Sequence, residues 1–253
     1  MRVRLPAVVA LCLTLLAGEQ PPPITVAAAI SMTDALTAAA RQYSAAGGGR
    51  VVFNFAASNV IARQIVNGAP IDVLISADEA QMDVVRKAGL IVESSKIDLI
   101  RNQLAVVVPN DRSRRLTGIR ELLDPGFKRI AIGDPAAVPA GVYAKQYLEK
   151  EGLWTALEPR IVPTGSVRAA LAAVESGAAD AGIVYRSDAH IAKRASVAWL
   201  VPMDRGPRIV YPAARIRTSR QPDEANRFLA FLASDPAQGI FEQFGFTRIE
   251  QSR

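Results

Sequence analysis

The chain has 253 residues, of which 50% are hydrophobic, 21% charged and 6% aromatic. This length and composition are typical of a globular protein with one large α/β domain or two lobes of about 100–150 residues each, and they exclude a disordered chain. The formal net charge is +6. The arginines are nevertheless scattered singly and the aromatic residues are few, so the sequence offers no basic helix or stacking platform for nucleic acid.

The N-terminal segment, residues 1–20, has the order of a secretory signal peptide. A basic start, MRVR, precedes a short apolar run, LPAVVALCLTLLAG, and the EQPPP that follows breaks any helix. The apolar run is too short to span a bilayer comfortably, so we expect cleavage between about residues 18 and 24. The single cysteine, Cys12, lies inside this segment. The mature protein is therefore expected to be exported and to have no disulfide, thiol nucleophile or thiolate metal site.

Runs typical of strands alternate with runs typical of helices along most of the remaining chain. Helices of this length between strands imply crossover units, so the sequence predicts an α/β fold of mainly parallel sheets flanked by helices. Glycines such as Gly68 and Gly89 are expected to end helices. The clearest strand and helix pairs are ITVAAA with TDALTAAARQYSAAGGG, RVVFNFAA with NVIARQIVNGA, IDVLISA with EAQMDVVRKAGL, KRIAIGD with AGVYAKQYLEKEG, and RIVPTG with SVRAALAAVESGAA.

Two long extended stretches, LIRNQLAVVVP and PRIVYPAARI, bracket the middle of the chain. If each one crosses between two lobes, residues 21–102 with 207–253 form the first lobe and residues 103–206 form the second. Two crossing strands make a hinge, and a ligand is then expected in the cleft between the lobes.

Motifs for nucleotide binding and for catalysis are lacking. No GxxxxGK[ST] is present, and GGG at 47–49 follows a predicted helix, not a strand. A single histidine, His190, favours neither a metal site nor a catalytic triad, and it is expected to be an exposed structural residue. Ser166 lies in TGSVR, which is not a nucleophile elbow. The sequence therefore favours a binding protein over an enzyme.

Four segments each bring a small or hydroxyl-bearing residue to the N-terminus of a predicted helix. Any one of them is explained as an ordinary helix cap. In a parallel α/β sheet, however, helix N-termini share the carboxyl edge of the strands, and their free amides and hydroxyls can together bind an anion without a charged side chain. The four are SMTDALT with Ser31 and Asp34 as a capping-box pair, SNVIARQ with Ser58, VPAGVYAKQYL with Pro139 ahead of the amides of Ala140 and Gly141, and TGSVRAAL with Ser166 as cap and Val167 just inside.

These segments, in their order and spacing, carry a resemblance to a known family. AAAISMTDAL, FAASNVIARQIVNGAPIDVLISAD, AIGDPAAVPAGVYAKQYL, GSVRAALAAVESGAADAGIVYRSDA and RIVYPAARI closely resemble the periplasmic molybdate-binding proteins of ABC importers. The resemblance covers essentially the whole mature chain. It implies a two-lobed periplasmic binding-protein fold of type II, a periplasmic location, and transport of molybdate or tungstate to a membrane permease.

The resemblance also implies a set of ligand residues. Ser31 and Ser58 would each offer a hydroxyl and an amide from the first lobe, and Ala140 and Val167 would offer amides and Tyr185 its phenol from the second. Molybdenum would then be bound only as the oxyanion, through its oxygens, with no direct protein–metal ligand and no cofactor.

The sequence departs from the family pattern at two places. Ile30 stands where a small residue commonly precedes the first serine, and it would tighten the pocket. Ala57 and Asn59 flank Ser58 where the family is often serine-rich. Neither departure removes an expected ligand residue, so the preference among oxyanions is the property they affect.

Alternatives remain beside the leading interpretation. The protein could carry another tetrahedral oxyanion, such as sulfate, or the fold could belong to an enzyme or to the effector domain of a regulator. A regulator should carry a helix-turn-helix segment, for which the mature chain has no room, and an enzyme should show a general base in the cleft. We expect a monomer with an ABC permease as partner and no nucleic acid.

Overall fold

The computed structural model describes residues 22–112 and 114–249. The predicted signal peptide, residues 1–20, lies outside the described residues. Within the described part, none of the helices combines the length and the apolar character that crossing a bilayer requires.

The described residues form ten β-strands and nine α-helices. The strands are β1 Ile24–Ala29, β2 Val51–Ala56, β3 Val73–Ile75, β4 Ile97–Asn102, β5 Leu104–Pro109, β6 Ile130–Gly133, β7 Ile161–Thr164, β8 Ala181–Tyr185, β9 Ala195–Leu200 and β10 Ile209–Arg215. The helices are α1 Thr33–Ala45, α2 Ser58–Val66, α3 Glu79–Lys87, α4 Pro139–Lys150, α5 Trp154–Leu157, α6 Val167–Glu175, α7 Arg186–His190, α8 Pro222–Leu232 and α9 Asp235–Gln243.

The strands divide into two five-stranded sheets, which gives the molecule two lobes. The first sheet has the order β2-β1-β3-β10-β4, and the second has the order β7-β6-β8-β5-β9. The predicted two-lobed α/β architecture is therefore confirmed. The lobe boundaries predicted from sequence, residues 21–102 with 207–253 and residues 103–206, stay a prediction.

Both sheets are mixed, which differs from the mainly parallel arrangement expected from the sequence. In the first sheet β1 is parallel to β2 and β3, whereas β10 is antiparallel to β3 and β4. In the second, β6 is parallel to β7 and β8, whereas β5 is antiparallel to β8 and β9. Parallel neighbours need a crossover connection, and helices supply it within each lobe. The strands next to the lobe crossings have no such connection and pair antiparallel.

The chain crosses between the lobes twice. The stretch predicted as one crossing strand is two strands, with β4 in the first sheet and β5 in the second, joined through Gln103. The return crossing runs through residues 201–208, so β10 belongs wholly to the first sheet. The hinge expected from the sequence therefore maps to these two short connections.

Apolar periodicity explains which surfaces form the core. All six residues of β5, LAVVVP, are buried, as expected for a strand covered on both faces. In α6 the buried residues are spaced three and four apart, so one stripe of the helix faces the core. The predicted helix stops are also confirmed, because Gly68 and Gly89 follow α2 and α3 with φ of 88° and 74°.

Candidate functional site

The five residues expected as ligands from the sequence all line one cavity between the two lobes. The cavity is small, and no residue that lines it is charged. Each of the five lies at the carboxyl end of a strand or in the first turn of a helix, where α/β proteins place their ligands. The lining residues are Ala29, Ile30, Ser31, Ala57, Ser58, Ala77, Val138, Pro139, Ala140, Val167 and Tyr185.

Ser31 does not cap a helix as predicted. It lies in a 3₁₀ turn over residues 30–32, and α1 begins only after this turn. Its buried hydroxyl shares a hydrogen bond of 2.9 Å with the Tyr211 hydroxyl. Asp34, predicted as the capping-box partner, instead accepts a hydrogen bond of 2.8 Å from Nη2 of Arg168. The capping-box prediction is wrong because the turn displaces the helix start and leaves both side chains to distant partners.

Ser58 is the first residue of α2, and its side chain does not cap that helix either. Its buried oxygen accepts a hydrogen bond of 2.9 Å from the backbone N–H of Ala77. A hydroxyl oxygen that accepts from an amide keeps its own hydrogen for another partner. Ser58 is therefore arranged as a hydrogen-bond donor beside the cavity.

Ala140 occupies the first turn of α4, and Pro139 stands at the helix start as predicted. First-turn amides have no acceptor within their own helix, and the described residues provide no other acceptor for the N–H of Ala140. The expectation of a second free amide at Gly141 is wrong, because that N–H donates to the carbonyl of Val138 at 2.9 Å. The first hydrogen-bonded turn of α4 therefore closes one residue earlier than the sequence indicated.

Val167 begins α6, one residue after its cap. The predicted cap is confirmed, since the Ser166 hydroxyl accepts from the N–H of Ala169 at 3.2 Å. The amides of Val167, Ser31 and Ser58 likewise have no protein acceptor among the described residues. The cavity thus has unpaired backbone donors on both of its sides.

Tyr185 ends β8 and is 1% exposed. Its hydroxyl has no hydrogen-bond partner among the described residues. Burial raises the pKa of the phenol well above its usual value of 10, so the group stays protonated. A buried hydroxyl without a partner costs about 1–3 kcal/mol. A ligand that accepts its hydrogen removes that cost.

Two buried polar residues behind the cavity were not found from sequence. Tyr211, on β10, holds the Ser31 hydroxyl, and Asn102 donates from Nδ2 to Tyr211 at 3.2 Å and to the Ser187 hydroxyl at 2.9 Å. The sequence places Tyr211 only in a predicted hinge strand. The partners lie far apart in the chain, 180 residues for Ser31 and Tyr211, so no local pattern could reveal them.

Arg168 joins the two lobes beside the cavity. It lies on α6, and its Nη2 donates to Asp34 on α1 at 2.8 Å and to the carbonyl of Ser31 at 3.3 Å. Its Nε lies 2.6 Å from Oδ1 of the fully buried Asp188. Burial raises the pKa of the Asp188 carboxyl to about 7, and the Arg168 guanidinium opposes that shift. The arginine therefore has a buried counter-ion in its own lobe and a half-exposed one across the cleft.

The described residues contain no group of three or more histidine, cysteine, aspartate or glutamate side chains placed to hold a metal ion. His190, at the end of α7, is exposed as predicted. The site that remains is one of neutral hydrogen-bond donors facing a small cavity.

Two mixed α/β lobes, crossed twice by the chain and enclosing a donor-lined cavity, define a two-lobed binding protein. The chain belongs to the bacterial extracellular solute-binding proteins, whose family profile matches residues 24–247.

Similar proteins confirm the resemblance seen in the sequence. The molybdate-binding protein ModA of Escherichia coli strain K12 is 39% identical over 230 residues, covering 88% of each chain. The structure of the Azotobacter vinelandii periplasmic molybdate-binding protein has a TM-score of 0.80 at 27% identity and covers 90% of this chain and 100% of that one. The sulfate-binding protein SubI of Mycobacterium tuberculosis H37Rv shares the fold, with a TM-score of 0.78 at 21% identity over 90% of this chain and 87% of that one.

Proposed function

We propose that this protein binds molybdate, and also tungstate, in the cavity between its lobes and delivers the anion to the membrane permease of an ABC importer. The chain is related to molybdate-binding proteins of two organisms, and this relationship supports both the proposed ligand and the proposed role in transport. The proposed ligand residues are Ser31, Ser58, Ala140, Val167 and Tyr185, which touch only the oxygens of the anion. Molybdenum itself has no protein ligand in this proposal, and no cofactor takes part.

The observation that carries the proposal is the unpartnered Tyr185 phenol in a cavity lined by free amides. The phenol is buried and protonated, and the amides lie at helix N-termini of both lobes. Helix N-termini favour anions through their exposed N–H groups and their dipoles. A tetrahedral anion can accept from all of these donors at once.

The donor set also explains which anion fits best. A fully deprotonated dianion can accept from every donor, whereas protonated phosphate brings a hydrogen that meets no acceptor. Such an unpaired polar group costs about 1–3 kcal/mol. The site therefore favours molybdate, tungstate or sulfate over phosphate, and the size of the closed cavity decides among those three. No side chain that lines the cavity is a general base, so we propose a carrier and not an enzyme.

Calorimetric titration of the mature protein with molybdate, tungstate, sulfate and phosphate tests the function. We expect molybdate and tungstate to bind tightly, sulfate more weakly, and phosphate more weakly still because of its proton. Sulfate binding more tightly than molybdate would instead identify a sulfate carrier. Absence of binding by all four anions would contradict the proposal.

Replacing Tyr185 with phenylalanine tests its role as a ligand residue. The ring stays and only the unpartnered hydroxyl is lost, so the free protein should keep its fold and be at least as stable as the wild type. Molybdate affinity should fall roughly 10- to 150-fold, since a hydrogen bond to a charged group is worth about 1.5–3 kcal/mol. Tyr147→Phe is a matched control, because that tyrosine is also buried but does not line the cavity. Equal affinity of wild type and Tyr185→Phe would make Tyr185 a packing residue only.

We also propose that the protein acts in the periplasm as a monomer, after cleavage of the signal peptide at residues 1–20, and that it does not bind nucleic acid. The order of basic, apolar and proline-rich segments supports export. The family to which the chain belongs, that of extracellular solute-binding proteins, supports a role outside the cytoplasmic membrane.

A further inference from the structure

Tyr211 contacts the site from behind and is not explained by the ligand set. Its side chain is fully buried, and it does not line the cavity. Its hydroxyl lies 2.9 Å from Oγ of Ser31, where either oxygen could donate the shared hydrogen. The direction of this hydrogen bond decides whether Ser31 can offer its own hydrogen to an anion.

Asn102 fixes that direction. Its Oδ1 accepts from the backbone N–H of Gln103 at 2.9 Å, which orients the side-chain amide. Its Nδ2 therefore faces Ser187 at 2.9 Å and the Tyr211 hydroxyl at 3.2 Å, and an amide NH₂ can only donate. The Tyr211 oxygen accepts from Asn102, and among the described residues Ser31 Oγ is the one acceptor bonded to the Tyr211 hydroxyl. Because a buried phenolic hydrogen without an acceptor is costly, we assign that hydrogen to Ser31. Burial raises the pKa of Tyr211 well above 10, which keeps that hydrogen in place.

We propose that Tyr211 and Asn102 are positioning residues that hold the Ser31 hydroxyl as a donor toward the bound anion. The hydrogen bonds run in one direction, from Asn102 through Tyr211 to Ser31 and into the cavity, and each bond strengthens the next. This inference rests on the proposed function of the cavity. It assigns to residues outside the cavity a part in rejecting protonated anions, because a Ser31 oxygen that already accepts from Tyr211 would have to turn its own hydrogen away from the anion to accept another.

The hydroxyls of both serines in the site are then held as donors, because each oxygen accepts a hydrogen bond from a group of the protein. The Ser58 oxygen accepts from the backbone N–H of Ala77, and the Ser31 oxygen accepts from the side chain of Tyr211. The hydrogen bond to Ser31 comes from a side chain, so substituting Tyr211 removes it. The hydrogen bond to Ser58 comes from a backbone N–H, which a change of the Ala77 side chain leaves in place. Ser58 thereby provides a control, because its hydrogen bond does not involve Tyr211.

A double-mutant cycle with Tyr211→Phe and Ser31→Ala tests the inference, with molybdate as the probe. Tyr211→Phe alone should weaken molybdate binding roughly 3- to 10-fold, the effect of one neutral hydrogen bond. In the Ser31→Ala background the same change should have almost no effect, because the hydroxyl it orients is gone. In the Ser58→Ala background its full effect should remain.

The ratio of molybdate to phosphate affinity gives a second measurement. Tyr211→Phe lets the Ser31 hydroxyl rotate and accept the hydrogen of a protonated anion, so the ratio should narrow. If Tyr211 has only a structural role, Tyr211→Phe should lower the affinities for molybdate and phosphate by the same factor.

The outcomes separate this inference from the proposed function. If the wild type binds molybdate but the effects of Tyr211→Phe and Ser31→Ala multiply independently, the positioning role is wrong and the proposed function stands. A wild type that binds no molybdate overturns both. If Tyr211→Phe does not fold by circular dichroism, Asn102→Ala replaces it in the cycle. That variant should narrow the anion ratio only where Ser31 is present, and an unchanged ratio overturns the inference.

Discussion

Replacing Ser58 with aspartate is expected to abolish molybdate binding while leaving the fold intact. The new carboxylate would face a dianion in a cavity with no charged lining residue, and like charges brought together in such a site cost several kcal/mol. We therefore expect the affinity to fall by roughly 1,000-fold or more. Aspartate is favourable at the first position of a helix, and it can still accept the N–H of Ala77, so calorimetry should show lost binding in a protein of near-normal melting temperature.

Two controls identify the charge as the cause. Ser58→Asn has nearly the size of aspartate but is neutral, so it should retain far more affinity. Ser44→Asp adds the same charge at an exposed position of α1 and should leave binding close to that of the wild type. If Ser58→Asp binds molybdate normally, the proposed cavity is not the site.

Gly141→Ala is expected to be among the most destabilising single substitutions in the chain. A methyl group at this position would overlap the backbone carbonyl of Gly133 and lie 2.8 Å from the carbonyl carbon of Asp134. Backbone on both sides cannot rotate away, so α4 must move off β6. Overpacking of this kind costs about 1–3 kcal/mol and occasionally more. We expect a loss of roughly 3 kcal/mol in the free energy of unfolding, measured by urea denaturation.

The same displacement should also weaken anion binding, because the amide of Ala140 lies one residue earlier in the same turn. Gly239→Ala is the matched control. Position 239 lies inside α9, and an added methyl group would meet no atom within 4 Å beyond its chain neighbours and the backbone of its own helix. Alanine there should stabilise the protein by about 0.5–1 kcal/mol through helix propensity alone. Equal stability of the two variants would show that the α4–β6 contact is looser than the structure indicates.

The parts of the fold that depend on local sequence could be predicted. Helix ends at Gly68 and Gly89 and the cap at Ser166 follow from neighbouring residues, and all three are present. The alternation of strands and helices likewise predicted the α/β architecture. The antiparallel strand pairs of each sheet could not be predicted from the sequence. They depend on where the chain crosses between the lobes and not on the residues of any one strand.

That the five candidate residues meet at one cavity was predictable from the sequence, whereas the hydrogen bonds among the residues around it were not. Helix N-termini at a shared sheet edge, together with the family resemblance, indicated the cavity residues. The partners of Ser31 and Asp34 were missed for one reason: Tyr211 and Arg168 reach them only after distant parts of the chain have packed together. Side-chain identity at either end gives no local signal of such a contact.

The neutral donors are divided between two lobes, and this has a consequence for unloading. When the lobes separate, each retains only uncharged amides and hydroxyls in the cavity wall, and water can replace the anion on every one of them. The Arg168–Asp34 ion pair breaks in the same motion, yet Arg168 keeps Asp188 as its counter-ion. In the proposed function, separation of the lobes therefore exposes every donor to water and takes the donors of one lobe away from the anion.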